Sequence, residues 1–154
     1  MAEKILIAYY SKTGHTKKAA EELAKITGGT LFEIKPQKSY PESYFATIAV
    51  AKLEQLKKEM PALSGDVKDW ESYDTVLLGY PIWWFTCPQV IKSFIAEHDF
   101  TGKKILPFCT HGGSGPKSSA EEIRKLANAQ SVGSCLDAVK NLNKNAIAGW
   151  LLQK

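Results

Sequence analysis

Three hydroxyl side chains and one glycine lie close together near the start of the chain, within residues 10–16 (Tyr-Ser-Lys-Thr-Gly-His-Thr). Ser11, Thr13 and Thr16 could hydrogen-bond to an anion, and Gly14 lets the backbone approach a ligand closely. An apolar run precedes this segment and a helical pattern follows it, so free N–H groups at a helix start would face the same point. One hydroxyl would suffice to cap the helix, so the pattern predicts a phosphate site. The predicted phosphate loop is Ser11, Lys12, Thr13, Gly14, His15 and Thr16.

Two better-known phosphate motifs do not occur in the chain. The spacing G-x-x-x-x-G-K, which is typical of loops that bind nucleoside triphosphates, is absent. The spacing G-x-G-x-x-G of dinucleotide-binding folds is also absent, which argues against a dinucleotide as the tightly held ligand.

Two later loops have the composition of a site for a flat ligand. One follows the third predicted strand and contains Pro81, Ile82, Trp83, Trp84 and Phe85. The other follows the fourth predicted strand and contains Thr110, His111, Gly112, Gly113, Ser114 and Gly115. Three adjacent aromatic side chains in a loop cannot all point into a core, and aromatic rings stack on flat ligands. The glycines leave backbone N–H groups open, although they could also form a plain turn, and the tryptophans could instead contact a partner protein.

Apolar runs alternate with helical patterns along the whole chain. The predicted strands are residues 4–9, 30–34, 75–79, 104–109 and 131–136, and a helical pattern follows each of them. Near-continuous apolar strands that alternate with helices predict a parallel sheet covered on both faces, in one domain over residues 1–154. The second helical pattern has an apolar stripe of the kind that packs against a core. That stripe contains Phe45, Ile48, Ala49, Leu53, Leu56 and Met60.

The composition is that of a soluble globular protein and narrows the class of function. The formal net charge is +4, but the lysines are spread along the chain, so we expect no nucleic-acid partner. No apolar run approaches the ~20 residues of a membrane span, so we expect no membrane partner. Three separated cysteines, without metal-ligand spacing to any histidine, predict no metal site and a reducing, cytoplasmic environment.

The combination of the three loops resembles the flavodoxin family. The Tyr-Ser-x-Thr-Gly-x-Thr segment is similar to the flavodoxin loop that binds the phosphate of FMN. The Pro-Ile-Trp-Trp and Thr-His-Gly-Gly-Ser-Gly loops resemble those of short flavodoxin-like proteins. The resemblance implies an α/β three-layer sandwich with a five-stranded parallel sheet of order 2-1-3-4-5 and helices on both faces. It also implies that FMN is held by all three loops at the carboxyl ends of the strands.

The resemblance favours an electron carrier that passes electrons between protein partners. Electron-carrying flavodoxins are typically strongly acidic, whereas this chain is basic, so two alternatives stay open. One is a small FMN-dependent oxidoreductase that accepts electrons from NADH or NADPH and reduces a quinone-like acceptor. The other is a non-enzymatic FMN-binding regulatory module. No catalytic residue is assigned, and the oligomeric state, the electron donor and the electron acceptor stay open.

The roles of some individual residues stay open as well. An imidazolium at His111 would stabilise the negative charge of a reduced flavin, but a histidine in this loop could equally be solvated. Either Trp83 or Trp84 could flank the flavin ring. Cys87, at a predicted helix start, could be a reactive thiol, although a small buried side chain is the favoured interpretation.

Overall fold

The computed structural model describes residues 4–153, in which strands and helices alternate. The helices are α1 (His15–Thr27), α2 (Tyr44–Lys57), α3 (Gln89–Ala96), α4 (Ser119–Leu126) and α5 (Lys144–Leu151). The strands are β1 (Ile5–Tyr9), β2 (Thr30–Glu33), β3 (Lys35–Pro36), β4 (Leu63–Ser64), β5 (Thr75–Pro81), β6 (Lys104–Thr110), β7 (Ser131–Val132) and β8 (Leu136–Asp137). Within these residues no helix is both long enough and apolar enough to cross a lipid bilayer.

The main sheet has the order β2-β1-β5-β6, and β7 and β8 both pair with β6. All of these pairs are parallel. The predicted order 2-1-3-4-5 is confirmed once the separate antiparallel pair of β3 and β4, which the sequence did not predict, is set aside.

The predicted fifth strand, residues 131–136, is divided into β7 and β8. Ile105 of β6 pairs with Val132, and Phe108 pairs with Leu136, so the outer strand contains one residue more than β6 between these pairs. Such an extra residue is a bulge, which interrupts the ladder. The Ser134 N–H within it donates a hydrogen bond of 2.8 Å to the Gln153 side chain, near the end of the chain, instead of to β6.

Alternating residues of the central strands supply a core on each face of the sheet. Leu6 and Ala8 of β1 face the layer that contains α3 and α4, and Ile7 faces the layer that contains α1 and α5. Because side chains along a strand point to opposite faces in turn, a continuous apolar run serves both layers. This arrangement confirms the predicted three-layer sandwich.

The side of α2 that faces the solvent contains most of the apolar stripe that the sequence predicted to be buried. Within the predicted stripe, Phe45, Leu53 and Leu56 are 86%, 53% and 67% exposed. The residues that α2 buries are Thr47 and Ala51, whose small side chains let the helix pack closely against the rest of the domain. Because α2 is apolar on two faces, periodicity alone could not tell which face is buried. Of the predicted stripe, Ile48 packs against the core. The expectation was wrong for Phe45, Ala49, Leu53 and Leu56, which are exposed, and for Met60, which is exposed and lies beyond the end of α2.

The cysteines are free thiols, and two of them are buried. Burial raises the pKa of Cys87 to about 12, so its thiol stays protonated at neutral pH despite its position before α3. The interpretation of Cys87 as a small buried side chain therefore agrees with the structure. Among residues 4–153, no group of three His, Cys, Asp or Glu side chains is arranged to hold a metal ion.

Candidate functional site

A cleft of about 570 Å³ opens where β1, β5 and β6 end. The loops that follow these strands line it, as expected because the carboxyl ends of parallel strands share one edge of the sheet. A further wall comes from the segment after β8. The volume lies in the range of small-molecule and cofactor sites.

The phosphate loop joins β1 to α1 at one end of this cleft. Gly14 precedes the helix with a φ of 96°, which favours glycine, and it has no side chain that could cap the helix. Ser11 Oγ accepts a hydrogen bond of 3.1 Å from the Gly14 N–H, and Thr13 Oγ1 lies 2.8 Å from His15 Nδ1. The first N–H groups of α1 are therefore not capped by the preceding residue, and two hydroxyls are already held beside them.

A buried pair of threonines joins the phosphate loop to the end of β6. Thr16 and Thr110 both line the cleft, and their hydroxyl oxygens are 2.7 Å apart. In such a pair one hydroxyl donates to the other, and the one that accepts keeps its own proton. That proton is free to donate to a ligand in the cleft.

The two tryptophans of the loop after β5 point in different directions. Trp83 lines the cleft and is held edge-on against Tyr10 and Tyr40, with ring centroids 5.5 and 5.3 Å apart. Trp84 lies against α2 instead, where its indole N–H donates a hydrogen bond of 2.8 Å to the carbonyl oxygen of Ile48. Of the two tryptophans, Trp83 is therefore the one that lines the cleft.

Hydrogen bonds of His111 join the loops that follow β6 and β8. Its Nε2 lies 2.8 Å from Asp137 Oδ1, and its Nδ1 accepts a hydrogen bond of 3.0 Å from the Gly113 N–H. The same Oδ1 accepts the N–H groups of Val139 and Lys140. Because Nδ1 accepts, the ring proton is assigned to Nε2, and a neutral ring donates to the carboxylate. The His111 side chain is 1% exposed, so the interpretation as a solvated histidine was wrong.

The hydrogen bonds of His111 also change the charges that we expect at the cleft. Both ring nitrogens of His111 are engaged, and a proton on Nδ1 would break the bond from Gly113, so the arrangement does not support an imidazolium facing a ligand. Burial by itself raises the pKa of Asp137, but the hydrogen bonds from His111, Lys140 and Val139 outweigh burial and lower it. Asp137 is thus ionised at neutral pH and places a negative charge behind the cleft wall.

Replacement of Asp137 by asparagine is expected to remove a pH-dependent part of the stability. Because the folded-state pKa lies below the unfolded value, the carboxylate stabilises the fold above about pH 4, and this effect is lost as the pH falls through the lowered pKa. Asp137→Asn should lower the free energy of unfolding by about 1–3 kcal/mol near neutral pH, and the difference should shrink below about pH 4. Urea unfolding across pH measures this, with Asp69→Asn at an exposed position as the control. A difference that stays constant with pH would refute the role of the charge.

Comparison with known proteins assigns the chain to a family. The family described as Flavodoxin matches residues 4–153. This chain belongs to the flavodoxin family. None of the curated proteins matches this chain.

Solved structures similar to this chain include three bacterial proteins, each with a TM-score of 0.81. A candidate flavoprotein from Bacteroides eggerthii is 34% identical, over 96% of this chain and 95% of that one. Another, from Bacteroides uniformis, is 30% identical, over 99% of this chain and 100% of that one. A flavoprotein from Lactobacillus acidophilus, in complex with FMN, is 26% identical, over 97% of this chain and 99% of that one.

The cleft is lined by predicted residues from all three loops. Those that line it are Lys12, Thr13, His15, Thr16, Pro81, Ile82, Trp83, Thr110, His111 and Gly112. The predicted residues outside the lining are Ser11, Gly14, Trp84, Phe85, Gly113, Ser114 and Gly115. Ser11 and Gly113 nevertheless act on the lining loops through the hydrogen bonds described above.

Sequence reasoning missed six lining residues. They are Lys18, Ala19, Tyr44, Ala138, Val139 and Leu142. The segment from Ala138 to Leu142 follows β8, so the rule that ligands bind at the carboxyl ends of strands could have found it. Lys18 and Ala19 follow His15 by three and four residues, so they lie about one turn further along α1 on the same side as His15. No local pattern identifies Tyr44, which the fold brings to the cleft at the start of α2.

Two other clefts do not share these features. One, of about 610 Å³, lies between residues 37–41 and α2, and one of about 260 Å³ lies beside His98. Neither is lined by a residue of the phosphate loop. Chemistry rather than volume therefore identifies the functional site.

Proposed function

We propose that this chain binds FMN non-covalently in the cleft, with the FMN phosphate at the start of α1. The observation that carries the proposal is the uncapped helix start beside the hydroxyls of Ser11, Thr13 and Thr16. A phosphate dianion there would accept hydrogen bonds from backbone N–H groups and hydroxyls, and the positive end of the α1 dipole would stabilise it without a metal. The similar Lactobacillus acidophilus flavoprotein, which has a structure in complex with FMN, supports the proposal.

The remaining walls of the cleft suit the flat ring of FMN. We assign Trp83 to one side of the ring and the apolar side chains of Val139 and Leu142 to another wall. The backbone near Gly112 would meet the polar edge of the ring. Bound FMN supplies the redox chemistry, and these residues orient it and limit its contact with water.

The role we propose is electron transfer between protein partners. Tyr44 and Val139 line the cleft and are each 54% exposed, so a ring held there would stay within reach of another protein. Lys12 and Lys18 lie on the same rim and would favour partners with an acidic face. We further propose that the chain works as one domain over residues 1–154, in the reducing cytoplasm, which suits its unpaired thiols.

Anaerobic rapid mixing with nicotinamides tests the carrier role. Dithionite is expected to bleach the visible absorption of the FMN-loaded protein, whereas NADH and NADPH should leave it unchanged during the same time. A carrier needs no site for a nicotinamide, which is the reason for this expectation. Rapid bleaching by either nicotinamide would refute a pure carrier, and a protein that cannot be reconstituted with FMN would point to a regulatory module without flavin.

A small NAD(P)H oxidoreductase is the second candidate. The observation that favours it is the positive rim of the cleft, where Lys12 and Lys18 could contact the phosphates of a nicotinamide cofactor. Under this alternative Lys18→Ala should slow reduction by NADPH, while reduction by dithionite should be unchanged. The matched control is Lys68→Ala, at an exposed lysine that does not line the cleft.

A further inference from the structure

An exposed apolar surface covers the outward face of α2 and the loop beside it. We call it the outer apolar surface, and it consists of Phe45, Ala49, Leu53, Leu56, Trp84 and Phe85. Its α2 members are spaced four, four and three residues apart, which places them on one stripe of the helix. Phe45 is 86% exposed and Phe85 is 65% exposed. A helix that is apolar on two faces normally has both of them covered.

The loop part of this surface is held firmly against the helix. Trp84 donates its indole N–H to Ile48, and the Gln55 side chain donates a hydrogen bond of 3.4 Å to the Trp84 carbonyl oxygen. The Lys52 ammonium lies 5.0 Å from the centroid of the Trp84 ring. Trp84 and Phe85 both have positive φ, 52° and 70°, which is rare for bulky side chains. The contacts of Trp84 therefore fix its side chain on α2 before any partner binds.

The outer apolar surface is large enough to form most of one side of a stable protein interface. A fully exposed aromatic side chain offers roughly 200 Å². When each side chain is scaled by its exposed fraction, the aromatic and leucine side chains of the outer apolar surface together present about 600 Å². That is at the upper end of the largest apolar patch on an ordinary monomer. A standard interface buries about 800 Å² on each partner, with an apolar centre and a polar rim. The outer apolar surface and its flanking charges would supply this area.

The charges at the two ends of α2 are complementary to each other. The exposed Glu42 precedes the helix, and the exposed Lys57 and Lys58 lie at its end, where Glu59 offsets one of them. When two such helices pack antiparallel about a twofold axis, the acidic start of each faces the basic end of the other. The two ends of α2 on a second copy are therefore an electrostatic match for the ends of the first.

We propose that a second copy of this chain docks on the outer apolar surface and forms a symmetric dimer. Weak encounters between redox proteins bury less area, whereas homodimer interfaces are more apolar, so the surface suits a lasting partner better than a transient one. Tyr44 packs edge-on against Phe45, with ring centroids 6.4 Å apart, and also lines the cleft. The second copy thus lies at one edge of the cleft.

Sedimentation velocity of the full chain tests this proposal, with and without FMN. At micromolar concentrations the wild type is expected to sediment with twice the 17.0 kDa mass of one chain. Leu53→Glu and Leu56→Glu, singly and together, should shift it to the monomer, because each places a charge at the apolar centre of the interface. Leu152→Glu, at a leucine that is 79% exposed beyond α5, is the matched control and should remain dimeric.

The outcomes separate this proposal from that of FMN binding. Circular dichroism and the FMN affinity of each variant report whether it is folded, and Phe45→Glu is a second route to the monomer should the leucine variants not fold. A wild type that sediments as a monomer overturns the proposal, including one that instead pellets with anionic lipid vesicles. Variants that stay dimeric overturn it equally, whereas a dimer that does not bind FMN would overturn only the proposed function.

Discussion

Thr13→Ala is expected to weaken FMN binding by about 1–3 kcal/mol, which raises the Kd roughly 5- to 150-fold. The Thr13 side chain lines the cleft, and its hydroxyl is held beside the start of α1 by a 2.8 Å contact with His15. Its loss would leave a phosphate oxygen with one donor fewer, in a site where charge-assisted hydrogen bonds are the main attraction. Titration of the apoprotein with FMN, followed by flavin fluorescence, measures the Kd.

The control for Thr13 is Thr30→Ala. Thr30 is an exposed threonine at the start of β2, on the edge of the sheet opposite the cleft, so its loss should leave the Kd of FMN unchanged. Both variants should unfold at nearly the wild-type urea concentration, because both side chains are exposed. An unchanged FMN affinity in Thr13→Ala would mean that the phosphate does not contact this hydroxyl.

Gly79→Ala is expected to lower the free energy of unfolding by about 2–3 kcal/mol. Gly79 in β5 pairs with Phe108 in β6, and a Cβ atom at Gly79 would overlap the Phe108 ring. That ring is fully buried and packs edge-on against Trp150, so it has little room to move away. Urea unfolding measures the loss, which arises from overpacking rather than from the cofactor.

The matched control is Gly149→Ala in α5. A Cβ atom there meets open space, and alanine favours a helix over glycine, so the stability should be equal or slightly higher. Wild-type stability in Gly79→Ala would show that the Phe108 ring can rearrange and that β5 and β6 pack less tightly than described.

The strands of the sheet could be predicted because their sequence pattern is local. Buried parallel strands are continuous apolar runs, so the predicted strand at residues 104–109 nearly coincides with β6. The strand order required the family resemblance, since several orders satisfy the same alternation. The division of the last strand could not be predicted, because it depends on a hydrogen bond between Ser134 and Gln153, which lie 19 residues apart.

The candidate site was predictable to the extent that its loops have unusual compositions. The hydroxyl-rich, aromatic and glycine-rich loops stand out in the sequence, and each contributes to the cleft. Asp137 has no such local pattern, since its partner His111 lies 26 residues earlier and in another loop. The direction of Trp84 likewise depends on α2, a helix with two apolar faces, and only the packing of the whole chain decides which face is covered.

Comparison of FMN with riboflavin tests the central claim most directly. The two ligands share one ring system and differ in the phosphate, so the ratio of their dissociation constants isolates the loop at the start of α1. Several charge-assisted hydrogen bonds to the phosphate predict that the wild type binds FMN at least about 100-fold more tightly than riboflavin. Equal affinities would contradict a phosphate held at Ser11, Thr13 and Thr16, and with it the assignment of the cleft.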